Sequence, residues 1–188
     1  MPDNLAAALA FIVNAIAQLY LFVLLLRLLL PWLGADFRNP IAQAILKITS
    51  PVVVPLRRVI PPIGPIDSAT VLVAFIIQYV TIVVLLMIMG IYSQVTFQSI
   101  AVTTVVNLLI LTLNLFVFAI IIRVVLSWIS PGGYNPAVAI IHTLTDRILL
   151  PFRYIIPPLG GLDLSPLVAI ILLTALRIVM YGFKTLPV

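Results

Sequence analysis

Two arginines set within apolar runs, Arg27 and Arg123, and two Arg–Asp pairs beside proline-rich turns, Arg57 with Asp67 and Arg153 with Asp163, are the side chains best equipped for chemistry. A guanidinium at the centre of a bilayer costs about 2.5–3.5 kcal/mol, so each such arginine needs a partner or a route to water. Two uses fit. The arginines could face a shared interior and bind an anion, a lipid phosphate or a carboxylate, or each could snorkel to the membrane surface beside its tryptophan, Trp32 or Trp128. The members of each Arg–Asp pair stand 10 positions apart across an Ile-Pro-Pro turn. That spacing suits an ion pair closing the loop or, alternatively, a binding site. Either use predicts sensitivity to mutation, because removing one partner of a partly buried pair leaves an uncompensated charge.

Other chemistries lack their parts. The chain has no Cys and one His, His142, and all its acidic residues are Asp. Thiolate sites and disulfides are excluded, and a lone histidine supplies neither a zinc site nor the usual pair of haem ligands. There is no phosphate-binding glycine loop, nucleophile elbow or HExxH pattern. The expectation is a protein with no catalytic residues, no metal and no cofactor. Asn39-Pro40 and Asn135-Pro136 read as turns that start and cap short amphipathic helices. Trp32 and Trp128 read as interfacial anchors. Asn14, Gln18, Asn107 and Asn114, inside apolar runs, are expected to hydrogen-bond between helices rather than to line a path.

These residues recur at one spacing. Arg27, Trp32, Asn39, Pro40, Thr49, Pro55, Arg57, Ile60, Pro61, Pro62, Gly64 and Asp67 reappear 96 positions later, as Arg123 through Asp163. So long a repeat in constant register indicates internal duplication, with units at 1–95 and 96–188. His142 falls opposite Leu46 and lies outside the repeated unit.

Composition says what the units are. Hydrophobic residues make up 64% of the 188 residues and charged residues 8%, against about 25% charged in soluble domains, so the chain cannot cover a water-facing surface. Four stretches approach the roughly 20 apolar residues of a membrane span: about 5–30, 69–92, 101–129 and 165–183. Pro31 and Pro131-Gly132-Gly133 are expected to end spans one and three, and Ser165-Pro166 to cap span four. Between the spans of each unit lies an amphipathic stretch, Pro40–Ser50 or Pro136–Thr145, that is expected to lie at the interface or fold back against the bundle. The prolines beyond it (Pro51 and Pro55; Pro151) are expected to end helical structure. The fold class is an all-α membrane protein of two tandem parallel repeats, each a transmembrane helix, an amphipathic interfacial or re-entrant segment, and a second transmembrane helix. Arg38, Lys47, Arg57 and Arg58 in the first long loop and Arg147 and Arg153 in the second predict that both loops face the cytoplasm and both termini the periplasm. The N-terminal segment, without a basic n-region, is read as mature structure rather than a signal peptide.

The pattern R-x4-W, then N-P, then P-x-R-x2-I-P-P-x-G-x2-D before a span, present twice, resembles the YggT family of small integral membrane proteins. One departure is the pair after the repeated Thr: Ser50-Pro51 in one copy and Asp146-Arg147 in the other. The resemblance implies an inner-membrane helper, associated in bacteria with osmotic or salt stress tolerance and in plastids with cytochrome b maturation and membrane organisation.

Three functions compete: a non-enzymatic helper or scaffold, a transport component with Arg27 and Arg123 at the inner mouth of a path, and lipid binding by the basic loops. The lack of a membrane-embedded carboxylate counts against cation transport. Expected partners are the bilayer, anionic lipid headgroups at the cytoplasmic loops, and a second copy or another membrane protein. Nucleic acid is not expected.

Overall fold

The computed structural model describes residues 3–129, 135–156 and 163–186. These form the helices α1 (Asp3–Trp32), α2 (Pro40–Arg57), α3 (Ser68–Ile88), α4 (Phe97–Ile129), α5 (Pro136–Ile155) and α6 (Ser165–Tyr181), with a 3-10 turn at Tyr92–Gln94. Helices α1, α3 and α4 are long and apolar enough to cross a membrane. Helix α6, at 17 residues, reaches about 25 Å at 1.5 Å per residue, short of a hydrocarbon core of roughly 30 Å. Span two ends earlier than its apolar run: α3 stops at Ile88, and Gly90 takes a positive φ of 72° just beyond.

Each repeat is a hairpin with a helix laid across its open end. α1 packs along α3 and α4 along α6, α3 against α4 joins the hairpins, and α2 and α5 lie against the two helices of their own repeats. The loop helices meet at one end, where Asn39 Nδ2 donates to the Pro136 carbonyl at 2.8 Å. At the other end Thr185, beyond α6, donates to the Ser99 carbonyl at the start of α4 at 3.0 Å.

The same three positions form the centre of each repeat. Leu24, Val53 and Val73 pack together in the first, and Ile120, Leu149 and Ala169, each 96 positions on, in the second. Val53 and Leu149 belong to the loop helices and are fully buried. Burying a side chain of this size contributes about 1.5–3 kcal/mol relative to exposure, which ties each loop helix to its hairpin. A separate seam joins the repeats: Leu25 and Leu30 of α1, Leu115, Phe116 and Ala119 of α4, Ala42 and Ile45 of α2, and Ile140 and Leu144 of α5.

Three expectations are corrected. The loop helices do not stop at their prolines: α2 continues through Pro51 and Pro55 and α5 through Pro151. Each proline removes a backbone donor, but the buried faces on either side (Thr49 and Val53; Thr145 and Leu149) keep the helix in place by packing, which outweighs local propensity. Pro31 lies inside the last turn of α1 rather than after it. The helix ends at Trp32, and just beyond it Gly34, with a φ of 82°, closes bonds from Ala35 N to the Leu30 carbonyl and from its own N to the Pro31 carbonyl, a Schellman-type stop. Finally, Ser165 does not cap α6. Leu164 holds the N-cap position, and Asp163 Oδ1 accepts from the Ser165 amide at 2.9 Å instead. The expected stop at Pro131-Gly132-Gly133 lies outside the described residues.

Candidate functional site

A threonine is the pivot of each repeat. Thr49 donates its hydroxyl to the carbonyl of Ile45, one turn back on α2, at 2.6 Å, and Thr145 does the same to Ile141 on α5 at 2.7 Å. A hydroxyl has one donor and two lone pairs, so with its hydrogen spent on the helix it can only accept further. It is therefore matched to a group that only donates. Arg27 Nη1 reaches Thr49 Oγ1 at 2.8 Å, and Arg123 Nη1 reaches Thr145 Oγ1 at 2.7 Å. The arginines that the sequence places near the ends of spans one and three thus turn inward, onto the loop helix of their own repeat. They do not meet in a common interior, because the apolar seam of Leu25, Leu30, Leu115, Phe116 and Ala119 stands where the repeats touch.

The surroundings of the two arginines then diverge. Arg27, with a side chain 5% exposed, also donates to Ser50 Oγ at 3.1 Å and to the Leu46 carbonyl at 3.4 Å, and lies 3.9 Å from Asp67. Asp67 in turn lies 3.6 Å from Arg57 and accepts from the Thr70 hydroxyl at 2.9 Å. Arg123 instead makes a short ion pair with Asp146 at 2.6 Å; Asp146 is 3.6 Å from Arg153, and Arg153 is 3.0 Å from Asp163. The Asp163 carboxyl feels burial, which raises its pKa, but hydrogen bonding from Ser165 and pairing with Arg153 outweigh that and hold it below the usual carboxylate range.

The remaining singled-out residues lie around these two centres. Asn39 and Asn135 accept from the amides of Ile41 and Ala137 at 2.9 Å each, with Pro40 and Pro136 at the first helical turn, so each starts a loop helix. Trp32 and Trp128 are both exposed. The Trp32 ring lies 5.2 Å from the Arg147 guanidinium, and Arg147 also donates to the Trp32 carbonyl at 2.6 Å. An α5 cation therefore closes the negative C-terminal end of α1 across the repeat boundary.

Sequence reasoning missed several partners. Thr49 and Thr145 are visible as repeated residues, and their recurrence alongside Arg27 and Arg123 was the available signal. Ser50 and Asp146 stand out in the sequence only as a difference between the copies, and nothing there ties them to the arginines. The span amides form a second set: Gln18 donates to Gln78 at 3.3 Å and Arg177 to Asn114 at 2.8 Å. Gln18 and Asn114 are themselves 96 positions apart, so an amide tying the two span helices together belongs to the repeated unit, and Arg177 is a span partner rather than a terminal charge. Asn14, Gln18, Asn107, Asn114 and Lys184 line a cavity of about 220 Å³ between the repeats.

Fold and site together define a helical membrane-type protein of two tandem repeats, each holding a loop helix on its hairpin through one inward arginine. The chain belongs to the CCB3/YggT family, whose signature matches residues 6–88 and 102–183, once in each repeat. It is 39% identical over 170 residues to an uncharacterized protein of Pseudomonas aeruginosa, covering 90% of this chain and 86% of that one. It is 38% identical over 166 residues to the uncharacterized protein YggT of Escherichia coli K12, covering 88% and 85%. It is 44% identical over 81 residues to YlmG homolog protein 2, chloroplastic, of Arabidopsis thaliana, covering 42% of this chain and 31% of that protein. No solved structure matches the chain.

Proposed function

We propose that this chain is a non-enzymatic helper or scaffold of the bacterial inner membrane, supporting the envelope under osmotic or salt stress. Both loop helices face the cytoplasm, and the partners are the bilayer and a second copy or another membrane protein. The observation that carries this reading is the direction of the arginines. Arg27 and Arg123 each turn Nη1 onto the threonine of their own loop helix, and apolar packing joins the repeats between them. Charges committed to internal partners hold a shape rather than pass a solute. The basic first loop agrees with a cytoplasmic position.

One observation favours a transport component instead: the polar cavity of Asn14, Gln18, Asn107, Asn114 and Lys184 draws on both repeats. Reconstitution in liposomes separates the readings, with K⁺ and anion flux measured after an osmotic step. The scaffold reading expects flux no greater than in protein-free liposomes, together with slowed growth after osmotic upshift in cells lacking the gene. Flux that Asn114→Ala abolishes would replace it with transport.

A further inference from the structure

The two arginine sites differ by one carboxylate, and the first has both the space and the unspent polar groups for a replacement. In the second repeat Arg123, Asp146, Arg153 and Asp163 alternate in sign and neutralise one another. In the first, Ser50 stands 96 positions before Asp146, so Arg27 and Arg57 share Asp67 alone, at 3.9 and 3.6 Å. Arg27 Nε is a buried donor with no hydrogen-bond partner among the described residues, whereas Asp67 Oδ1, also without one, is an acceptor that faces Arg57 at 3.6 Å and does not itself call for an anion. A buried donor on a charged group left in that state is costly, and such an atom in a native fold calls for a missing partner. Beside it opens a cavity of about 360 Å³ lined by Arg27, Arg57, Asp67, Phe37, Pro62 and Gly64. The charge of the loops points the same way. Positions 36–67 hold four basic and two acidic side chains, and the equivalent positions 132–163 hold two of each.

We propose that this cavity binds a phosphate group, with Arg27 and Arg57 as its cationic donors, in the role that Asp146 fills internally in the second repeat. Two guanidinium forks suit a tetrahedral anion with several acceptor oxygens. The volume is far larger than a chloride ion needs and falls within the range of small-ligand sites. Arg57 is half-exposed and 3.6 Å from Asp67, so it can turn from the carboxylate to the ligand. The site lies at the end of α1 beside the loop helix, where either a lipid headgroup or a free phosphate can supply the group. This inference goes beyond the scaffold reading, and its readout is binding, so a flux result does not decide it.

The test uses the full chain in maltoside detergent, which carries no phosphorus. Inorganic phosphate and, separately, dihexanoyl phosphatidylglycerol are titrated in while heat of binding is recorded. Wild type is expected to saturate at one phosphate-bearing molecule per chain. Ser50→Asp, which copies the second repeat's carboxylate into the first, is expected to bind at least tenfold more weakly while keeping its helical circular dichroism. Arg57→Gln is expected to weaken binding in the same direction. Saturation by the lipid alone assigns a headgroup, and saturation by inorganic phosphate assigns a free anion. No saturable binding of either probe, or equal binding by wild type and Ser50→Asp, overturns the proposal.

Discussion

Arg27 and Arg123 occupy equivalent places and make the same bond to equivalent threonines, yet they sit in different electrostatic settings. Around Arg123 the charges balance, and Asp146 is 54% exposed, so water shares the work. Arg27 is 5% exposed and the nearest carboxylate, Asp67, is 12% exposed and divided between two cations. The threonine bond is the part of the duplicated unit that both copies need to hold a loop helix in place. The counter-charge is the part that differs between the copies, and Arg27 is the more buried and the less neutralised of the two arginines. One hydrogen-bond geometry thus recurs in both copies while the charge around it differs.

The largest expected effect that would sharpen this contrast comes from Arg27→Ala. It removes a buried guanidinium that bonds Thr49, Ser50 and the Leu46 carbonyl and leaves the mostly buried Asp67 with Arg57 as its remaining cation. Breaking a buried charged network costs about 3–5 kcal/mol. Arg123→Ala is expected to cost about 1–2 kcal/mol, because Asp146 can be solvated when its partner leaves. Reversible unfolding in mixed detergent measures both, and equal losses would break the distinction. Next come Thr49→Val and Thr145→Val, which remove the acceptor for a guanidinium and are expected to cost about 1–2 kcal/mol each. Unlike the arginine changes, the two threonine changes are expected to match, since both hydroxyls are fully buried and make the same bonds.

The smallest expected effect is a dependence on acid. The Asp163 carboxyl lies below its ordinary range when folded, so its contribution to stability is complete above the unfolded carboxyl's pKa and is lost as pH falls through the folded value. Stability of wild type is therefore expected to decline on the acid side more than that of Asp163→Asn, in melting curves recorded across that range. Parallel curves would show that Asp163 contributes no such dependence.

Much of the architecture was legible because duplication acts on residue types that backbone geometry demands. Asn-Pro starts, the Arg–Asp pairs and the apolar runs all recur, and all carry strong local meaning. What was not legible depended on packing. Pro51, Pro55 and Pro151 read as stops, but the buried faces around Thr49, Val53, Thr145 and Leu149 carry helix through them. The sequence left the arginines with two orientations, toward a shared interior or toward the surface. The structure takes a third, across to a loop helix some 22 residues onward, which no local pattern announces. Asp146 was visible only as a departure from Ser50 after the repeated Thr; that the difference sets the counter-charge of an arginine shows once both are seen beside Arg27 and Arg123.

The most direct measurement of the central claim, that each arginine pins its own loop helix, is peptide-resolved hydrogen exchange on wild type, Arg27→Gln and Arg123→Gln in nanodiscs. Arg27→Gln is expected to speed exchange across α2, residues 40–57, and leave α5 at its wild-type rate, with Arg123→Gln doing the reverse for residues 136–155. Unchanged exchange in the loop helices, or equal loosening of both by either substitution, would contradict the account.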